Sequence, residues 1–234
     1  MAKKTTAVEA EVLTIPAIET KEAIIHIVGD SSLITHKWSE KAKREMLEKQ
    51  MKVAKSKGKE AKSPEMDFIR TLYTQHDVDI AGNCGDAALY SSETVPNGFA
   101  NAKEFETYCK SGGKFYFPSV AVKAAAISAG FRAGVTKNKV VMQGAFHILG
   151  EYLQIETDEP PTMREDMVKI AMGTADIRYR AEFKHWEMHI PVRYNTGVIT
   201  LAQLCNLINL GGFACGIGEW RVERSGMHGM FHVE

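Results

Sequence analysis

The chain is poor in the features that would fix its chemistry covalently or through metal. Its 234 residues hold four cysteines, Cys84, Cys109, Cys205 and Cys215, widely spaced and without a CxxC pair. That excludes a disulfide-dense scaffold, and free thiols fit a reducing cytoplasm. No window of about 18 apolar residues exists, so no membrane-spanning helix is expected. Met1-Ala-Lys-Lys opens onto polar residues, which predicts no secretory signal. Net charge is also missing: 29 basic residues balance 29 acidic ones, which excludes a uniformly basic nucleic-acid coat protein. There is no GxxxxGK[ST], no GxGxxG between a strand and a helix, and no GxSxG. Mononucleotide and dinucleotide sites are therefore unsupported, and no cofactor is expected.

What is present is an ordinary globular composition, 44% hydrophobic and 25% charged, with enough length to bury a real core. The charge is unevenly placed. Residues 31–62 carry ten basic and four acidic side chains, whereas residues 63–159 carry eight and twelve. Residues 38–57 are rich in strong helix formers, with Ser39 as a cap and Gly58 as a stop, and only a narrow apolar stripe. This predicts a surface or projecting helix. Lys41, Lys43, Arg44, Lys52, Lys55 and Lys59 are its candidate phosphate contacts. The other reading is a solvated helix with i,i+4 ion pairs such as Glu45–Lys49. Residues 58–66 read as a mobile linker and 77–114 as loop-rich, with a short helix near 101–110.

Periodicity places strands at 12–18 and 22–28, the second continuously apolar and so expected to be covered on both faces. A helix follows over 119–131, capped by Ser119 and ended by Gly130. Strands are predicted at 139–149 and 152–157, and a short helix at 163–172 from the Thr162/Glu165 capping box. Strands return at 176–183 and 186–194, the latter setting Trp186, Met188, Ile190, Val192 and Tyr194 on one face. Pro191 argues for an edge or bulge there. A helix capped by Thr200 and Gln203 and stopped by Gly211-Gly212 leads into a strand over 213–221. The fold class is α+β: a ferredoxin-like or RRM-like βαββαβ core from residues 1–30 and 119–234, with 31–118 as a helical and loop insertion. Ile24, Ile27, Val122, Ile127, Ile190, Leu204 and Ile208 are its expected interior.

Six glycines fall within residues 211–233. Such a tail either lets a partner backbone or phosphate approach closely or serves a bulged hairpin. Taken with Pro118, Ser119 and Lys123 opening an Ala-rich helix, and with Ser225-Gly-Met-His-Gly-Met-Phe231, the chain resembles the RAMP superfamily, the RNA-binding proteins of CRISPR effector complexes. The match would cover about 12–30 and 119–234, with Ala124 where the family's helix start has glycine. The GIGEWR…GMF tail also resembles small proteins of tailed phages, which would place this one in the host cytoplasm.

The resemblance implies a protein that binds single-stranded nucleic acid without cleaving it, RNA before DNA, and that assembles as a homo-oligomer or within a ribonucleoprotein. Lys123, Gly216, Gly218, Trp220, Arg221 and Arg224 join the candidate contacts. Trp38, Phe115, Tyr116 and Tyr179 could stack on bases or fill the core. A rival is a phage structural or host-complex-inhibiting protein whose basic helix meets an acidic protein surface. A third is a metal-independent ribonuclease, since His228 and His232 resemble the general base of RAMP ribonucleases. No histidine spacing marks a metal site, and Asp77, Asp79, Asn83 and Asp86 match no calcium loop.

Overall fold

The computed structural model describes residues 17–38, 40–52, 62–82, 98–169 and 175–234. In chain order the elements are β1 (Thr20–Gly29), β2 (Leu33–Thr35), α1 (Glu40–Gln50), α2 (Pro64–Ile69), β3 (Tyr73–Thr74), α3 (Gln75–Gly82), α4 (Ala102–Lys110), β4 (Phe115–Pro118), α5 (Ser119–Arg132) and α6 (Lys139–Ala145). Then come β5 (Phe146–Ile148), β6 (Tyr152–Ile155), β7 (Thr162–Lys169), β8 (Ala175–Phe183), β9 (Glu187–Asn195), α7 (Leu201–Ala214) and β10 (Phe231–Val233).

They form a four-stranded antiparallel sheet in the order β10-β1-β9-β5, and two three-stranded antiparallel sheets, β2-β8-β7 and β3-β4-β6. The alternation in β9 is borne out: Met188, Ile190, Val192 and Tyr194 are buried between the large sheet and its helices, and His189 and Arg193 point to solvent. Helices α5 and α7 pack together on this inner face. Their small residues set the spacing. A Cβ on Gly211 would lie 2.8 Å from the Ala126 backbone, and one on Gly212 would lie inside contact distance of the Phe231 carbonyl. These glycines therefore do not stop α7. They let it lie close to α5 and β10, and the helix runs on to Ala214. The capping box is as expected, with Thr200 accepting from the Gln203 N–H.

Several expectations are corrected. Residues 213–221 are not a strand: the sheet is closed by β10, ten residues further on. Residues 139–145 are helical because the Asn138 side chain caps the Val140 N–H, and only 146–148 pair with β9. Residues 162–169 are a strand, since Arg164 and Asp166, two apart on one face, satisfy their charges across the hairpin with Arg180 and Glu182; 170–172 lie outside the described residues. Helix α1 ends at Gln50, and Lys52 turns with φ 57°; residues 53–61, with Lys55 and Lys59, lie outside the described residues.

Residues 64–66 begin a helix that buries Phe68 and Ile69. The loop-rich stretch 77–114 holds α3 and α4, with 83–97 outside the described residues. The Ser119 hydroxyl does not cap α5 but donates to Gly150 O, and Gly130 lies inside that helix against Leu207 and Met142. Of the expected strand 12–18 only 17–18 are described, and they are not a strand.

Strand β1 is central in its sheet but bare on one face. Ile24 is 71% exposed, whereas the other expected interior residues are buried. Pro191 pairs with Ile24 of β1 on one side and lies past the end of the β5 ladder on the other, a local edge. Its carbonyl accepts from Leu149 just where β5 has ended, so the N–H that proline lacks faces a side with no further strand. The 31–118 stretch is stitched into the rest through β2 on β8 and β4 on β6.

Candidate nucleic-acid interface

The glycine-rich tail closes on itself and on β2. Ile217 N donates to Gly229 O, His228 N to Trp220 O and Gly226 N to Arg221 O. Glu219 N donates to Ile34 O and Gly229 N to Ser32 O, so the loop is laid along the side of β2 that β8 does not use. The close approach expected at the tail glycines is made by the chain's own carbonyls. Gly218 (φ 82°) would place a Cβ 2.5 Å from Ile34 O, and Gly216 (φ 66°) would place one 3.0 Å from Gly229 O.

Beneath the loop lies an ionic network. Arg180, only 3% exposed, binds Asp166 at 3.0 Å and Glu219 at 3.4 Å, and donates from Nε to His36 Nδ1 at 3.1 Å. Arg164 joins Asp166 to Glu182, and Ser32 donates to Glu182 at 2.6 Å. Burial alone would push the Asp166 carboxyl up, but the hydrogen bonds and charges of Arg164 and Arg180 outweigh it and hold the group below the usual carboxylate range. Burial, then the Arg180 charge, pushes the His36 imidazole down. His36 Nδ1 accepts a hydrogen bond from Arg180 Nε–H, so that ring nitrogen carries no proton.

Trp220 stands in water next to Glu219 of this network, and Trp38 next to a separate buried ion pair of Lys37. Trp186 is 3% exposed, but Trp38 is 53% and Trp220 42% exposed. Each follows an anchored charge. Lys37 is buried in an ion pair with Asp77, and its N–H donates to Thr71 O. Glu219 is tied to Ile34 and Arg180. Trp220 itself has φ 52°, a left-handed conformation that costs a non-glycine residue about 1–3 kcal/mol. Its carbonyl is packed so tightly by Gly226 that no Cβ fits there.

Of the other sequence candidates, Arg221 borders this platform and is braced by Gly218 O and Glu223; Arg224 is exposed on the next turn. Lys123 is elsewhere: its Nζ lies 3.4 Å from His147 Nδ1 and 5.4 Å over the Phe146 ring, and partial burial lowers its pKa. Helix α1 carries Lys41, Lys43 and Arg44, with Lys43 exposed and Lys52 exposed beyond its end. Phe115 is core, and Tyr116 donates to Gln75. Sequence reasoning missed His36, Arg180 and Ser32, whose roles depend on pairing between segments some 140–200 residues apart.

The bare face of the large sheet is a different surface. His26 and His189 stack with ring centroids 4.5 Å apart. His26 contacts Glu187 and Glu234, His189 contacts Glu156, His232 contacts Asp30, and Arg193 contacts Glu22.

Chemically, the tail platform offers ring faces and guanidinium groups. Ser32 spends its proton on Glu182, so its oxygen accepts from His228 Nδ1–H at 2.9 Å; that is not an activated nucleophile. Among the described residues no three or more His, Cys, Asp or Glu side chains group to hold a metal, and no helix is long and apolar enough to cross a membrane. No protein-family model and no curated protein matches the sequence. The crystal structure of Cmr6 from Pyrococcus furiosus is similar at a TM-score of 0.35 and 13% identity, covering 93% of this chain and 100% of that one.

Proposed function

We propose that the chain is a RAMP-type protein with a ferredoxin-like βαββαβ core that binds single-stranded nucleic acid, RNA in preference to DNA, without cleaving it, and that assembles along its ligand. The core reading is supported by β1, α5, β5, β9, α7 and β10. They follow one another as strand, helix, strand, strand, helix, strand, and the sheet order is β10-β1-β9-β5, first beside third and fourth. The observation that carries the binding reading is Trp220, an indole kept half in water by a strained backbone that its neighbours lock in place. A fold holds such strain where the side chain is used. Bases stack on exposed rings regardless of sequence, and Arg221, Arg224 and the basic chain of α1 and 52–62 supply phosphate contacts.

Fluorescence anisotropy of labelled RNA and DNA oligonucleotides against wild type and Trp220→Ala tests this. The variant should bind about 5- to 150-fold more weakly, the equivalent of one base no longer stacked. The rival reading, a protein acting through protein contacts, draws on the exposed Met46, Leu47 and Met51 of the α1 region.

A further inference from the structure

Helices α6 and α7 and the turn between β9 and α7 enclose a cavity of about 490 Å³. Met142, Ala145 and Leu207 form its buried floor. Val135, Val141 and Val198 form its rim, each more than half exposed. Among the described residues no Asp, Glu, Lys or Arg lines it. A phosphate or carboxylate would find no counter-charge there, so nucleotides and nucleic acid do not fit. An apolar cavity of this size, open at its rim, suits an uncharged apolar group.

The chain enters the described structure beside this cavity. Glu19 O accepts from Thr196 N at 2.9 Å and from the Thr196 hydroxyl at 3.2 Å, and Thr20 pairs with Asn195. Asn195 O in turn accepts from Val198 N and Ile199 N, both at 3.0 Å. That closes a turn whose Val198 and Ile199 form one wall of the cavity. Residue 19 is thus tied to the turn that carries the wall, and residues 1–16 lie upstream of it, outside the described residues. The nearest upstream run is Val12-Leu13-Thr14-Ile15, which holds three apolar residues and no charge; Glu9 and Glu11 precede it. Pro16 disfavours helical backbone at Ile15, and in an extended chain Leu13 and Ile15 share one side. Four residues at about 3.3 Å each give Leu13 a reach of about 13 Å from Ala17, more than the diameter of a sphere of the cavity's volume.

We propose that Leu13 and Ile15 of the same chain occupy this cavity, so that residues 12–16 strap α6 to α7 and to the 195–199 turn. Uncharged side chains match a lining without charge. The tie at Glu19 holds the segment at a roughly millimolar effective concentration, which favours it over the same segment of a second copy. The strap is separate from the tail platform, and its test does not depend on what that platform binds.

Hydrogen exchange resolved by residue in the intact chain tests it, using wild type, Val141→Asp and Val198→Asp. In wild type the amides of Leu13, Thr14 and Ile15 should exchange at least about tenfold more slowly than in a free peptide. Either rim variant should return them to the free-peptide rate. Both rim residues are mostly exposed, and Asp suits the first turn of a helix at 141, so circular dichroism should show both variants folded. The double variant Leu13→Asp, Ile15→Asp should empty the cavity and bind the uncharged dye Nile red more strongly than wild type. Free-peptide exchange at residues 13–15 in wild type, or protection that survives both rim variants, would overturn the proposal. So would protection that vanishes on dilution, since the segment of a second copy would then fill the cavity. Equal dye binding by wild type and the double variant would also overturn it, because the cavity would then stand open to an outside molecule.

Discussion

Replacing Gly218 with alanine should unfold the tail from β2, and the size of the effect can be built from its parts. At φ 82° an alanine meets a conformational cost of about 1–3 kcal/mol. Its Cβ would also stand 2.5 Å from Ile34 O and 2.9 Å from Leu33 Cδ1. The carbonyl cannot move away freely, because it accepts from Glu219 N at 2.9 Å, and Leu33 is fully buried. Overpacking of this kind adds about 1–3 kcal/mol. Together these give about 2–6 kcal/mol, or a fall in melting temperature of about 4–24 °C for a domain of this size. Two other glycines separate the parts. Gly134 has φ 73° and nothing within 4 Å of a Cβ, so Gly134→Ala should show the conformational cost alone. Gly144 lies in α6 without a positive φ and with open space around it, so Gly144→Ala should stabilise by about 0.5–1 kcal/mol. Calorimetric melting of the three variants is the assay. If Gly218→Ala melted within about a degree of wild type, or no lower than Gly134→Ala, the intramolecular packing of the tail would be refuted.

The buried network should show itself in acid. Asp166 has a depressed folded pKa, so its stabilisation is complete above the unfolded carboxylate value near 4 and is lost as pH falls through the lower folded value. His36, also depressed, stays neutral while the unfolded imidazole takes a proton, so stability begins to fall below about pH 6.5. Denaturant melts from pH 7 to 3 should show both limbs, with the lower one flattened in Asp166→Asn and the upper one absent in His36→Phe. The triple variant Lys52→Glu, Lys55→Glu, Lys59→Glu should flatten the log–log salt dependence of oligonucleotide binding by about 2, at roughly 0.7 for each phosphate no longer neutralised; an unchanged slope would make that segment a solvated one. Thr200→Ala removes one side of the α7 capping box and should cost about 1 kcal/mol, or about 2–4 °C in a thermal melt.

The elements legible from the sequence are those whose signals are local. The Thr200/Gln203 capping box, the alternation of residues 186–194 and the Ala-rich body of α5 each fix one element without help from distant residues. The misread elements are those where tertiary contact overrode a local cue. Gly211 and Gly212 look like a helix stop until Ala126 and Phe231 are brought against them. Thr162 and Glu165 match a helix start, but the charges of Arg164 and Asp166 are satisfied only across a hairpin. Ile24 shares its face with Glu22 and His26, so two polar residues at i−2 and i+2 mark the bare side, a cue that the apolar density of the run outweighs. In the site, Trp220 stood out because glycines and charges flank it. The network that holds it joins residues near 35, 165, 180 and 219, a pairing that no spacing in the chain announces.

The central claim is that Trp220 is held out to stack on a base, and the direct measurement is its own fluorescence. In a Trp38→Phe background, with Trp186 buried, the exposed emission comes from Trp220. Titration with short oligouridylate should quench that emission and shift it to the blue, with a midpoint that matches the anisotropy titration and is displaced upward by salt. Oligothymidylate should do the same at higher concentration. If the anisotropy titration saturated while the Trp220 emission stayed unchanged, nucleic acid would bind elsewhere on the molecule, and the platform would not be its site.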